Sequence, residues 1–69
     1  MNVDKVWIVR SGHFYDGSSI DGVFRTRERA SEYITRTYEF KHKVYYYRQP
    51  ELNLYYVDFV EIEEYEVKE

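Results

Sequence analysis

The stretch KVWIVR, Lys5–Arg10, decides the fold, because its four inner residues are all apolar and its composition is typical of a β-strand. Successive side chains of a strand point to opposite faces of its sheet. Val6 and Ile8 therefore lie on one face, and Trp7 and Val9 lie on the other. A strand that is apolar on both faces is normally covered on both. The sequence thus predicts a strand that needs one covering layer on each side, the second of them from another subunit or a folded-over strand.

Three further strands and one helix follow from the pattern of the remaining residues. Turn-forming residues fill Ser11–Ser19 and Pro50–Asn53. Beyond Phe59 the apolar positions move to the other face of the last strand, which predicts a β-bulge. The predicted fold class is α+β, a single β-β-α-β-β domain over residues 1–69 with one helix packed on one face of an antiparallel sheet. We expect strands at Lys5–Arg10, Ile20–Arg25, Val44–Arg48 and Leu54–Ile62, extended by Tyr65–Val67, and a helix at Arg27–Phe40.

The predicted helix has a clear start and an amphipathic pattern. Thr26 is a favourable N-cap residue, and Glu28 suits the positive end of the helix dipole. Glu32 and Arg36 are spaced to form an ion pair on the solvent side. Its apolar stripe consists of Ala30, Tyr33, Ile34, Thr37 and Tyr38, at the spacing of one helix face.

A chain of 69 residues is marginal as a monomer, because a domain of this size buries only roughly 60% of the surface that its unfolded chain exposes. The sequence has no cysteine, so a disulfide cannot stabilise it. One helix can cover only one face of the sheet. We therefore expect a homo-oligomer, with Trp7, Tyr46 and Tyr56 at the interface between subunits.

Charge is distributed unevenly along the chain. The net charge is −3, but residues 1–48 carry nine Lys/Arg against six Asp/Glu, and residues 49–69 carry one Lys against seven Asp/Glu. The simplest interpretation is that the two parts lie side by side and neutralise each other across strands. An acidic face that mimics nucleic acid is the alternative. No concentrated basic stripe indicates duplex binding, and the short apolar runs indicate neither a signal peptide nor a membrane span, so we expect a cytoplasmic protein.

The segment Ser11–Ser19 is the first candidate binding site. Its glycines and serines expose backbone N–H groups that can hold an anion, and Arg10 flanks it. We take His13, Tyr15 and Asp16 as its candidate contact residues. The alternative is that this segment only connects two strands of a hairpin.

Tyrosines form the second candidate site. The sequence contains nine tyrosines, and Tyr45 and Tyr47 are the first and last residues of a run of three. Exposed aromatic side chains stack on nucleobases, and Arg48 next to them suits a phosphate. Packing in the core or at an interface is the competing explanation, because tyrosine also favours strands.

Catalytic and metal sites are weakly indicated. His13 and His42 form a conceivable acid–base pair with Lys41 as a stabilising cation, as in a metal-free nuclease. Glu61 and Glu63 alternate onto one face, but a hard cation requires ligands arranged in three dimensions. We therefore expect no enzyme, no metal and no cofactor.

Several stretches of the sequence resemble a group of small phage-encoded accessory proteins, most of them without an assigned function. The resemblance implies a cytosolic protein that counters bacterial defence, either by holding a nucleotide-derived immune signal between subunits or by binding a host defence protein directly. The first is our leading hypothesis and the second its alternative. The residues that carry the resemblance are Val6–Gly12, Tyr15–Asp16, Ile20–Phe24, Thr26–Glu28, Ala30, Glu32–Ile34 and Val60–Val67.

Overall fold

A computed structural model describes residues 4–68, which form two three-stranded antiparallel sheets, one α-helix and one short 3-10 helix. The class α+β is confirmed, but the expected single sheet of four strands is wrong. Residues 1–3 and 69 of the predicted domain lie outside the described residues. The elements are β1 (Asp4–His13), β2 (Gly17–Phe24), α1 (Arg27–Thr37), β3 (Tyr38–Lys41), β4 (Val44–Tyr47), the 3-10 helix (Pro50–Leu52), β5 (Tyr56–Val57) and β6 (Phe59–Val67).

Sheet 1 has the order β2–β1–β6, so the strand that contains KVWIVR is the central one. The predicted loop at Ser11–Ser19 is largely wrong, because β1 and β2 remain paired up to His13 and Gly17. The backbones approach closely at Gly12, where a Cβ atom would lie 2.2 Å from the carbonyl oxygen of Gly17. Glycine at this position therefore lets the strands continue, so that only residues 14–16 form the turn.

The two faces of sheet 1 differ in what covers them. Directly opposed residues of antiparallel strands share a face, and Trp7 opposes Phe24, whose ring lies 5.3 Å from the ring of Tyr33 in α1. Trp7 and Val9 therefore face the helix. The other face, here called the open face, has no described element packed on it. It carries Val6, Ile8, Arg10, Ile20, Val23, Glu61, Glu63 and Tyr65.

Helix α1 begins as predicted and ends earlier than predicted. The hydroxyl of Thr26 accepts a hydrogen bond from the N–H of Arg29, at 3.1 Å, so the N-cap is confirmed. The predicted end at Phe40 is wrong, because Tyr38 adopts an extended conformation and starts β3. Arg48 supports this early end: its Nε donates to the carbonyls of Thr35 and Tyr38, at 2.7 and 2.9 Å. No described helix has the length and apolar character that crossing a membrane requires.

The last predicted strand is divided between the two sheets. Residues Leu54 and Tyr55 lie outside any strand, β5 pairs with β4 in sheet 2, and β6 pairs with β1 in sheet 1. The shift in apolar phase near Phe59 therefore marks a change of sheet, and the bulge expected there is wrong. Asp58 lies at the junction, and its N–H donates to the carbonyl of Gly12 at 2.8 Å.

A bulge does occur in sheet 1, between β1 and β2. Val9 pairs with Gly22 and Arg10 pairs with Ile20, so Asp21 is the extra residue. This position turns the Asp21 carboxylate toward the helix side, where it accepts hydrogen bonds from three hydroxyls. The donors are Ser11 at 2.6 Å, Tyr33 at 3.2 Å, and Tyr38.

The charges of β1 and β6 neutralise each other as predicted. Lys5 lies 3.4 Å from Glu64, and Arg10 lies 3.8 Å from Glu63. The predicted helix pair is also present, with Glu32 and Arg36 separated by 3.5 Å. These pairs are at least partly exposed, so each contributes at most about 1 kcal/mol to the stability of the fold.

The core of the fold is small. Val9 and Ala30 are fully buried, and Tyr38 and Val57 are nearly so. Tyr38 joins the two sheets, since its backbone belongs to β3 and its hydroxyl reaches Asp21 of sheet 1. Burial, followed by the hydrogen bond to the Asp21 carboxylate, raises the pKa of Tyr38 well above its usual range. Burial and the charge of Asp21 also raise the pKa of Tyr33.

We expect the free energy of unfolding to fall above about pH 10, because the unfolded chain then releases tyrosine protons that the folded chain retains. Below that pH both states keep the proton and the contribution is fully present. Tyr38→Phe removes one such group and should flatten the decline by up to about 1.4 kcal/mol per pH unit. Urea denaturation from about pH 8 to 11 measures this slope. Equal slopes for both proteins would contradict the assigned environment of Tyr38.

A two-residue turn, His42–Lys43, joins β3 and β4. Its residues have φ values of 55° and 67°, which is the left-handed region where a Cβ atom is unfavourable. Glycine is normally favoured in such a turn. The turn is therefore a site of local strain in the backbone of sheet 2.

Lys43→Gly should be more stable than Lys43→Ala by about 1 kcal/mol, because both variants remove the charge and only glycine relieves the left-handed strain. The same pair of substitutions at Glu39, inside β3, should give the opposite order. Thermal unfolding of the four variants provides the comparison. An alanine variant at Lys43 as stable as the glycine variant would refute this account of the turn.

Candidate functional site

A groove on sheet 2 brings cationic side chains together with two tyrosines. Its volume is about 470 Å³. Strand pairing explains why its residues converge: Glu39 opposes Tyr46 across β3 and β4, and Lys41 lies two residues further on the same face. We call it the basic groove. Its lining residues are Glu39, Lys41, His42, Tyr46, Tyr47, Arg48 and Asn53.

Arg48 is the most precisely held side chain of the basic groove. Its two Nε hydrogen bonds, to carbonyls of α1 and β3, fix the side chain against the helix end. Its backbone N–H also donates to the carbonyl of Thr37 at 2.9 Å. The guanidinium is therefore oriented by the fold itself, and a bound anion does not need to order it.

The charge of the basic groove favours an anion. Lys41 and Arg48 are positive, and Glu39 is the acidic residue in the lining. Among the described residues, neither Lys41 nor Arg48 forms an ion pair within 4.0 Å. The lining therefore carries a small excess of positive charge on a protein of net charge −3, and such an excess attracts anions.

A second groove lies at the end of the β1–β2 hairpin and has a different chemistry. It measures about 290 Å³ and contains the carboxylates of Asp16 and Asp21. His13 lies at its edge, with Nδ1 at 3.4 Å from the carboxylate of Asp58, which also accepts the N–H of Phe14 at 3.1 Å. The hairpin groove is therefore acidic, so the phosphate-type anion expected at this segment is disfavoured.

An aromatic groove of about 390 Å³ adjoins the hairpin groove and shares His13, Tyr47 and Val57 with it. The ring of Tyr56 lies 5.5 Å from that of His13, edge to face. Tyr55 is largely exposed at its rim. Its lining residues are His13, Tyr47, Leu52, Tyr55, Tyr56 and Val57.

The structure distributes the predicted binding residues over several surfaces. Tyr47 and Arg48 meet in the basic groove, whereas His13 and Asp16 lie in the hairpin groove. The other three predicted binding residues lie elsewhere. Arg10 is on the open face, Tyr15 is almost fully exposed at the hairpin turn, and Tyr45 packs against Tyr38 and Phe40.

The predicted interface residues are also separated. Tyr46 lines the basic groove and Tyr56 lines the aromatic groove, with their rings 6.1 Å apart. Trp7 faces the helix, and its indole N–H is buried without a hydrogen-bond acceptor in the described part of the chain. Trp7 therefore contributes to the covered side of sheet 1 and not to its open face.

Sequence reasoning did not identify five residues of the basic groove as binding residues. Lys41 and His42 lie just beyond the predicted helix and are indicated there only as parts of a conceivable catalytic set, Tyr46 is predicted at the subunit interface, and Asn53 lies in the predicted turn. The fifth residue is Glu39. The signal that could have placed Lys41 is the alternation in Tyr38–Lys41, since Tyr38 and Phe40 then share one face and Glu39 and Lys41 share the other.

The proposed acid–base pair is not assembled in the structure. His13 and His42 line different grooves. Within residues 4–68, no group of three His, Asp or Glu side chains is placed to hold a metal ion. The glutamates of β6 lie along one extended strand, which is the arrangement that a hard cation disfavours.

These features define a small α+β protein with two sheets and a preformed basic groove. Residues 4–69 of the sequence match a family described as a domain of unknown function, DUF7336, and the chain belongs to that family. Neither a curated protein nor a solved structure matches it.

Proposed function

We propose that this protein binds a nucleotide-type anion in the basic groove and does not transform it. The observation that carries the proposal is the position of Lys41 and Arg48, two cations without ion-pair partners in the described chain, beside the ring of Tyr46. A nucleotide combines the two features that such a site recognises, a negative phosphate and a flat aromatic base.

Phosphate recognition belongs to the cationic side chains. The guanidinium of Arg48 is planar and already oriented, so it presents paired N–H donors to phosphate oxygens. Lys41 supplies a point charge from the neighbouring strand. Because Arg48 is ordered before the ligand arrives, binding costs less side-chain entropy than it would with two free side chains.

Base recognition belongs to Tyr46 and its polar neighbours. The half-buried ring of Tyr46 offers a stacking surface worth about 1–3 kcal/mol for each base. Asn53 carries both a donor and an acceptor for the base edge. Glu39 repels phosphate and accepts hydrogen bonds from amino or hydroxyl groups, so it orients the ligand with its phosphate toward Lys41 and Arg48.

In biological terms, we propose a phage counter-defence protein in the cytoplasm of a host bacterium. It acts as a homo-oligomer that sequesters a nucleotide-derived immune signal. The support for this setting is the sequence resemblance, together with a groove whose charge and aromatic character suit such a signal. A protein that only sequesters its ligand needs affinity and abundance, but no general acid or base.

Direct inhibition of a host defence protein is the alternative, and the aromatic groove favours it. Leu54 is 90% exposed and Tyr55 is 62% exposed, next to Leu52 and Tyr56. Tyrosine and leucine side chains around a shallow pocket provide anchors for a protein partner. In this alternative the partner binds the 3-10 helix and the segment after it.

Lys41→Gln tests the leading proposal. The variant and the wild type are titrated with AMP, ATP and a cyclic dinucleotide, and calorimetry measures the binding. The variant should bind about tenfold more weakly, because one charge-assisted contact is lost. Lys68→Gln is the matched control, since it removes the same charge outside the groove and should change affinity less than twofold. Equal losses in both variants, or no binding to the wild type, would refute the assigned site.

Recovery of the ligand after denaturation of the protein distinguishes binding from catalysis and from direct inhibition of a host protein. Each nucleotide is incubated with the protein, the protein is denatured, and the ligand is identified by mass spectrometry. Recovery of intact nucleotide supports sequestration, whereas a changed nucleotide shows an enzyme. If no nucleotide is retained but a host protein binds the wild type and not Tyr55→Ala, direct inhibition replaces the leading proposal.

A further inference from the structure

We infer that a second copy of this chain covers the open face of sheet 1 and forms a two-fold symmetric dimer. This inference rests on the self-association within the proposed function and gives it a definite surface. It does not depend on the ligand, because the basic groove and the open face share no residue.

The exposed area of the chain is large enough to include an interface of standard size. The chain exposes 5742 Å², whereas a folded monomer of its mass is expected to expose about 4,700 Å². The excess of about 1,000 Å² exceeds the roughly 800 Å² that each partner buries in a standard interface. The radius of gyration, 13.5 Å, is also larger than the roughly 11 Å expected for a compact domain of this length.

The open face has the chemistry of a buried surface in its centre. Ile20 and Val23 of β2 are 56% and 58% exposed, beside the half-buried Val6 and Ile8 of β1. These four β-branched aliphatic side chains, on the central strand and an adjacent edge strand, form a continuous apolar stripe. A contiguous exposed apolar patch of this kind marks an interaction surface.

The positions of the charged residues on the open face favour one orientation of a second copy. The glutamates Glu61 and Glu63 occupy β6, to one side of the apolar stripe, and Arg10 lies between them and β2. In this dimer the open faces of the two copies pack against each other. The two-fold axis runs parallel to the strands, between the two sheets and above the space between β1 and β2. The β1 strand of each copy then faces the β2 strand of the other. The two acidic strands then lie at opposite rims, far from each other and in contact with water.

The polar groups on this face lie beside the apolar stripe. Arg10 projects from the central strand β1 at 3.8 Å from Glu63, and its buried Nε has no hydrogen-bond acceptor among residues 4–68. Tyr65 donates its hydroxyl to Glu63, and this hydrogen bond lowers the pKa of Glu63 and raises that of Tyr65. Glu63 therefore stays ionised beside Arg10. Only the apolar stripe needs to lose its contact with water when the dimer forms.

Val23→Lys tests the dimer by sedimentation equilibrium across a dilution series. The wild type should have twice the chain mass of 8.6 kDa, and Val23→Lys should have the chain mass or a dissociation constant at least about a hundredfold higher. Leu54→Lys is the control, because it places the same charge on an exposed apolar site outside the open face and should leave the dimer intact.

A wild type that stays folded at the chain mass would overturn the inference, as would a Val23→Lys variant that dimerises like the wild type. If the variant unfolds, isotope-filtered NMR of the wild type decides: contacts between subunits from the methyl groups of Ile8, Ile20 and Val23 support the dimer, and their absence refutes it. The nucleotide titration of Val23→Lys distinguishes the two proposals. A folded monomer that still loses affinity on Lys41→Gln shows that groove and interface are independent.

Discussion

The structure depends on one constraint: β1 is apolar on both faces, and α1 covers only one of them. The helix side collects Val9, Ala30 and the Tyr38 hydroxyl around the carboxylate of Asp21. Polar and apolar burial coincide there, because three hydroxyl donors satisfy the carboxylate that the bulge turns inward. No element within residues 4–68 covers the opposite side in this way. The small size of the helix thus determines the core of the chain and leaves the other face of β1 open.

Tyr38 connects this core to the functional surface. Its backbone starts β3, so the same residue that ends the helix also sets the register of sheet 2. Glu39 and Lys41 must then point away from the core, toward the basic groove. Arg48 strengthens the arrangement, since its hydrogen bonds join the end of α1 to the start of β3. The basic groove, the candidate binding surface, is therefore supported by the junction between helix and sheet.

The sequence predicted the elements whose signals are local. The strand at Lys5–Arg10, the Thr26 cap and the amphipathic pattern of α1 each depend on a few neighbouring residues. The α+β class follows from them. The division into two sheets could not be predicted in the same way, because it depends on which distant strands pair. The Ser11–Ser19 segment shows the reason: its composition is typical of a loop, but pairing with β2 keeps most of it in a strand.

The candidate site was predicted in part for the same reason. Arg48 and Tyr47 were identified as binding residues from residue type alone, whereas Tyr46 was predicted at the subunit interface. Lys41 and His42 lie just beyond the predicted end of the helix, because Tyr38 continues the apolar helical stripe as well as it begins a strand. In the strand, Tyr38 makes a tertiary contact, the hydrogen bond from its hydroxyl to Asp21. Such a contact, 17 residues apart in the sequence, leaves no local signal.

The acidic side chains of β6 limit how further strands can add to the edge of sheet 1. β6 is an outer strand of sheet 1, and an outer strand offers unpaired backbone groups to any strand that approaches it. Four glutamates along this strand make edge-to-edge addition of identical chains electrostatically unfavourable. Their mutual repulsion therefore disfavours open-ended growth of sheet 1 from one chain to the next.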